Sequence, residues 1–248
     1  MSWAIIGGTG LHQLPGLEVV EERHPETPWG RASRPLQRGR LNGETVWFLQ
    51  RHGSPAAVPP HRINYRANIA ALQAVGATHI VGVNAVGGLH TDLLPGTLVV
   101  PDQLVDYTWG REHTFDEGAD GHLLHIDFTE PYDAGLREAL LVAARRAELD
   151  CRASGVHAIT QGPRLETAAE VRRLRRDGGD VVGMTGMPEA ALAREAGLAY
   201  ASLCMVVNAA AGLGDAPLTL AAMRETLEAN AGRVRVLLAN LLAAAAPG

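Results

Sequence analysis

Short apolar runs alternate with helical patterns along almost the whole chain, and no other feature restricts its fold as strongly. Runs of strand type occupy residues 3–6, 45–50, 79–83, 97–100, 156–160, 181–182 and 198–207. Apolar residues recur with helical spacing over residues 63–75, 134–147, 166–176, 188–196 and 217–243. This order predicts an α/β protein on a central, partly parallel sheet. Pro188 and Pro217 fall where a proline suits a first helical turn. With no internal repeat and no interdomain linker, residues 1–248 read as one domain. Residues 107–121, rich in Gly, Asp, Glu and Trp, read as a long excursion rather than packed structure, and long loops are often functional.

Composition removes several function classes. Hydrophobic residues make up 46% and charged residues 20%, enough for a core and too ordered a mixture for a disordered chain. The net charge of −5 gives no reason to expect a nucleic-acid partner. The chain contains no lysine, which excludes Schiff-base chemistry and a phosphate-binding P-loop. Cys151 and Cys204 lie in apolar runs without metal-type spacing and read as buried, reduced and structural. No His, Asp and Cys spacing offers a metal site. The chain enters strand-like sequence at Trp3 without a basic leader, and no apolar run reaches the roughly 20 residues of a membrane helix. The expectation is a soluble, cytoplasmic protein with no membrane partner.

In an open α/β sheet, ligands gather at the carboxyl ends of strands, and six polar clusters sit at such ends. Ile6 runs into Gly7, Gly8, Thr9 and Gly10, where backbone N–H groups and one hydroxyl suit an anion. A dinucleotide fingerprint competes, but Gln13 stands at its third glycine position, and a plain tight turn reads the sequence equally well. Arg51, His52 and Gly53 close a second run; they suit a phosphate or simply a solvated strand end. Asn84, Ala85, Val86, Gly87 and Gly88 permit close backbone approach, or make a turn. After Gly162 and Pro163, Glu166 stands where a helix begins, as a ligand contact or as a dipole-capping residue. Thr185 precedes another helix, whose N-terminus is a ready anion site. Asn208 ends the run 203–207, as a base contact or as a cap.

Together these clusters resemble the purine nucleoside phosphorylase and methylthioadenosine phosphorylase family, from Trp3 to about Leu238. The order and spacing of the matching stretches carry the likeness rather than any one motif. The resemblance implies a single-domain fold with a mixed, partly barrel-like sheet flanked by helices, and a homotrimer with active sites near subunit contacts. It implies a phosphate site of Thr9, Arg51, His52, Asn84, the Ala85 backbone and Thr185. Inorganic phosphate is then a co-substrate, with no cofactor or metal. Met184 matches a methionine lying against the ribose, and Leu165, Ala210 and Asn208 fall at nucleoside contacts. His125 matches a histidine reaching a neighbouring subunit's nucleoside, or is an ordinary surface histidine.

The identity of the base follows from hydrogen-bond chemistry. A 6-oxopurine offers an N1–H donor and an O6 acceptor, and a 6-aminopurine reverses both. Glu166 as a carboxylate only accepts, whereas Asn208 both donates and accepts. Methylthioadenosine phosphorylases resemble Ser at the first position and Asp-x-Asp at the second; here Glu166 and Asn208-Ala209-Ala210 stand instead. A site built around such a bond rejects the wrong partner by about 10⁴–10⁵. Where classical 6-oxopurine enzymes carry a histidine for the 5′-hydroxyl, residues 214–224 contain none, and Leu218, Leu220 and Met223 reach the pocket positions. An apolar wall suits a methylthio group, at about 0.8 kcal/mol per methyl-sized unit buried, or is plain helix core.

The expected reaction is phosphorolysis of S-methyl-5′-thioinosine to hypoxanthine and 5-methylthioribose 1-phosphate. Asn208 and Glu166 would attend the departing base, with His52 on the phosphate. The rivals are inosine or guanosine phosphorolysis, methylthioadenosine phosphorolysis with atypical base contacts, and a nucleotide-cofactor oxidoreductase or binding module.

Overall fold

The computed structural model describes residues 1–11, 13–53, 58–118, 121, 123–214 and 218–244. Its elements are, in chain order, β1 (Trp3–Gly7), β2 (Glu18–Arg23), β3 (Leu36–Leu41), β4 (Glu44–Gln50), α1 (Tyr65–Ala74), β5 (His79–Gly88), β6 (Leu98–Val99), β7 (Gln103–Asp106), α2 (Ala134–Arg146), β8 (Cys151–Arg152), β9 (Val156–Ile159), α3 (Ala168–Arg176), β10 (Val181–Gly183), α4 (Gly186–Glu195), β11 (Ala199–Ala209) and α5 (Leu220–Ala244). Every apolar run and helical pattern read from the sequence is occupied by an element of the expected type. Four strands were not foreseen: β2, β3, β7 and β8.

All eleven strands join one mixed sheet, in the order β2-β3-β4-β1-β5-β10-β9-β7, with β11, β6 and β8 branching from β5. Strand β5 is the fork. Its first half pairs in parallel with β1, its whole length pairs in parallel with β11, and its end at Gly87 and Gly88 pairs antiparallel with β10. The expected α/β architecture with a partly parallel sheet is what the chain adopts.

Both faces of the central strands are covered, which is why they read as unbroken apolar runs rather than alternating ones. Trp3, Ile5, Val46 and Phe48 pack on one side with Leu140 of α2 and Leu237 of α5. Ala4, Ile6, Trp47 and Leu49 point the other way, onto Ile69 of α1 and Leu192 of α4. Burying a side chain of this size contributes roughly 1.5–3 kcal/mol, so the site is carried on rigid strands.

Pro188 opens the regular part of α4, as read: Met187 before it is non-helical, with φ −116° and ψ 138°, and the Met187–Pro188 bond is cis. One local expectation is corrected. Cys204 is buried, as read, but Cys151 is only partly so. Pro217 lies outside the described residues.

Candidate active site

The fork in the sheet leaves a gap. Strand β1 stops pairing with β5 at Gly82, and β10 does not begin until Gly87. At this gap, a cavity of about 510 Å³ is lined by Gly8, Thr9, Arg51, His52, Ala85, Met184, Thr185, Glu166 and Asn208, together with Leu165, Ala210, Leu218, Leu220 and Met223. Residues from all six clusters therefore face one space, of the volume that small-molecule sites have. From the third cluster, Ala85 and Gly87 line it but the Asn84 side chain does not.

Arg51 continues strand β4 and is fully buried. Its Nη2 donates to Glu189 Oε2 at 2.8 Å, its Nε donates to the other carboxylate oxygen, and its Nη1 donates to the Val83 carbonyl at 3.0 Å. Burial works against the guanidinium's charge, but Glu189 outweighs it and the pKa rises above the ordinary value. These bonds use three of five N–H donors. A Cβ on Gly8 would come within 2.7 Å of Arg51 Nη1, so this glycine is required for the arginine's approach as much as for any anion. His52 Nδ1 donates to the Val58 carbonyl at 2.9 Å, which fixes the ring against the loop.

Asn84 stands behind the cavity wall. Its Oδ1 accepts from the Thr185 hydroxyl at 2.9 Å, and its Nδ2 donates to Ser202 Oγ at 2.7 Å and to the Gly82 carbonyl at 3.1 Å. Asn84 is thus not among the residues lining the cavity, and its amide is engaged in orienting Thr185. Thr185 is the N-cap of α4 without a side-chain cap bond; its hydroxyl gives its one hydrogen to Asn84 and keeps an oxygen that can accept. Below this network lies His157, also buried, with no partner at Nε2 among the described residues. Burial first, then the Arg51 charge, push its pKa down to about 3.

Glu166 is not the cap of α3. Thr167 fills that position in a capping box with Glu170, whose side chain accepts from the Thr167 backbone. The dipole role read for Glu166 therefore belongs to Glu170. Glu166 sits just outside the helix and accepts from the Thr160 hydroxyl at 2.6 Å. Gly162, with φ +59°, turns the chain between them, and a Cβ there would come within 2.5 Å of Met184 Sδ.

Asn208 reaches the cavity through a bulge. The β11 register against β5 shifts between Val206 and Asn208, so Val206 faces Val86 and Asn208 faces Gly87, with Val207 between. Neighbours on a regular strand point to opposite faces. Here Val207 and Asn208 both line the cavity, the re-aiming that bulges provide. Asn208 Nδ2 donates to the Ala209 carbonyl at 2.7 Å.

Sequence reasoning missed Arg111. Segment 107–118 forms no helix or strand, as read, but it buries this one side chain beside the site. It donates to the carbonyls of Met184 (2.9 Å), Met187 (2.6 Å), Gln161 (2.9 Å) and Thr160 (3.3 Å), to the Gln161 side chain and to the Tyr65 hydroxyl. Burial lowers its pKa from the ordinary arginine value. His125, by contrast, is exposed and away from the cavity of its own chain.

The sequence matches the Phosphorylase superfamily over residues 2–243. The chain belongs to that family. A protein of Pseudomonas syringae pv. tomato named as a probable S-methyl-5′-thioinosine phosphorylase is 53% identical over 98% of this chain and 98% of its own. The 6-oxopurine nucleoside phosphorylase of Pyrococcus furiosus is 43% identical over 91% of this chain and 86% of its own. Methylthioadenosine phosphorylase from Schistosoma mansoni, solved with adenine, superposes with a TM-score of 0.94 at 34% identity, covering 98% of this chain and 91% of its own. This phosphorylase is accordingly an enzyme of the nucleoside phosphorylase type, a pentosyltransferase. Among its described residues no group of three His, Cys, Asp or Glu is arranged to hold a metal, and no helix is long and apolar enough to cross a membrane.

Proposed function

We propose that this phosphorylase splits S-methyl-5′-thioinosine with inorganic phosphate, giving hypoxanthine and 5-methylthioribose 1-phosphate. The observation that carries the reading is that Glu166 and Asn208 share one cavity with Leu218, Leu220 and Met223. An acceptor and a mixed donor–acceptor fit N1–H, O6 and N7 of a 6-oxopurine. An apolar group fits beside the leucines and methionine, where a hydroxyl would lose its hydrogen bonds to water. The relatives named probable S-methyl-5′-thioinosine phosphorylases support this reading.

A phosphate held by Thr9, Arg51, His52, Thr185 and the Ala85 backbone attacks C1′ of the sugar. The C1′–O bond forms as the C1′–N9 bond breaks, with positive charge developing on the ribose beside Met184. The electron pair leaves with the base, where Asn208 donates toward N7 and Glu166 holds N1–H; the base then takes up a proton. Catalysis rests on positioning and electrostatics, and Asn84 acts by fixing Thr185. The enzyme is proposed to work as a homotrimer, with the exposed His125 serving the nucleoside of a neighbouring subunit.

Phosphate-dependent assays on methylthioinosine, methylthioadenosine, inosine and guanosine side by side test the reading. Highest kcat/KM for methylthioinosine with release of hypoxanthine is expected. Preferred release of adenine overturns it. The relatives named 6-oxopurine nucleoside phosphorylases favour a second reading, broad inosine and guanosine phosphorolysis, which preference for inosine would select.

A further inference from the structure

The Thr160 hydroxyl lies 2.6 Å from Glu166 Oε1 and 3.4 Å from the Gly183 carbonyl. A hydroxyl has one hydrogen to give, and the shorter, better acceptor here is the carboxylate. Thr160 directly follows β9, and its backbone N–H donates to the Gly183 carbonyl at 2.8 Å, extending the ladder with β10. A β-branched side chain on such backbone is stiff at χ1. Glu166 has three side-chain torsions and sits in the stretch ahead of the α3 cap, lining both the main cavity and a smaller one of about 380 Å³ on its other side. Left to itself, its carboxylate could swing into either space. The threonine hydroxyl is what holds it between them.

On the base-recognition reading above, we infer that Thr160 is a specificity-determining positioning residue: by engaging Glu166 Oε1 it commits the other oxygen, as an acceptor, to the edge of the purine. The selection of 6-oxopurine over 6-aminopurine then belongs to the Thr160–Glu166 pair, not to Glu166 alone. Loss of the hydroxyl removes that restraint on orientation.

The test is Thr160→Val, which keeps the side chain's shape, with Thr160→Ser keeping the hydroxyl. The expected result is a tenfold to hundredfold fall in the ratio of kcat/KM for methylthioinosine to that for methylthioadenosine, about the worth of one charge-assisted bond. The serine variant should restore at least half of the lost ratio on a logarithmic scale, and the KM for phosphate should stay within about threefold. A ratio unchanged in Thr160→Val, or losses equal for both nucleosides, overturns the proposal, because a merely structural residue moves both alike. Should the valine variant fail to fold, Thr160→Ala supplies the same comparison. The wild-type ratio itself tests the base assignment, so failure of that reading and failure of this one are told apart.

Discussion

Glu189 meets Arg51 with both carboxylate oxygens, and neither side chain has any contact with solvent. The Tyr200 hydroxyl completes the arrangement by donating to Glu189 Oε2 at 3.0 Å. The pair joins the end of β4 to helix α4 and presents the guanidinium to the cavity. Breaking a buried ion pair on one side strands the other charge, at a cost of about 3–5 kcal/mol. Glu189→Ala should therefore lower stability by that amount in urea denaturation and raise the KM for phosphate. A variant as stable as the parent would show that Arg51 does not depend on Glu189.

Arg111 spans what no shorter donor can. Its guanidinium ties the Thr160–Gln161 peptide to the carbonyls of Met184 and Met187, so it joins the stretch before Glu166 to the stretch holding Thr185. Each buried acceptor left without a donor costs about 1–3 kcal/mol. Arg111→Lys keeps the charge but not the planar spread of donors. It should lose roughly 3 kcal/mol or more of stability and reduce kcat/KM for the nucleoside more than it affects phosphate. Equal stability of the lysine variant by chemical denaturation would contradict this account of the segment.

The parts of the molecule legible in sequence are those where burial on both faces writes a continuous apolar run. Strands β1, β4, β5 and β11 are of this kind, and the site residues at their ends could be named in advance. Strand β2 could not: Glu18, Val19, Val20, Glu22 and Arg23 are exposed at the sheet's edge, so nothing in their pattern records a buried face. Strand β3 is interrupted by Gly39, which packs against Leu17, and β8 is two residues long. Within the site, single-residue chemistry pointed to Glu166 and Asn208, but their supports were hidden. Thr160 and Arg111 act through contacts across 6 to 76 positions of chain, and a pattern read over neighbouring residues carries no trace of them. The bulge at Val207 was equally invisible, since one extra residue leaves an apolar run looking unbroken.

His157 gives the fold a pH-dependent weakness. Burial and the nearby Arg51 charge hold its pKa near 3, against an ordinary value of 6.5. The folded protein therefore keeps it neutral while the unfolded chain binds a proton below pH 6.5. Stability from this group is complete above that pH and is lost as pH falls toward 3, at about 1.4 kcal/mol per unit. His157→Gln should flatten the fall in denaturation free energy between pH 6 and 4 by about that slope. Parallel pH profiles for the two proteins would assign acid sensitivity to other groups.

Asn208 is the residue on which departure of the base should depend most. The bulge brings its amide to the cavity beside Gly87, where a Cβ would lie 3.4 Å from Asn208 Nδ2. One N–H is held by the Ala209 carbonyl, so the amide's orientation is set before any ligand arrives. Removing a pre-set donor that meets developing negative charge costs about 10²–10³ in turnover. Asn208→Ala should lower kcat by that factor while leaving the KM for phosphate nearly unchanged, because none of the side chains proposed for phosphate touches this amide. A kcat within a few-fold of the parent would remove Asn208 from the departure step. A matching rise in the KM for phosphate would instead mean that the substitution disturbs β5, whose Ala85 and Gly87 line the same space.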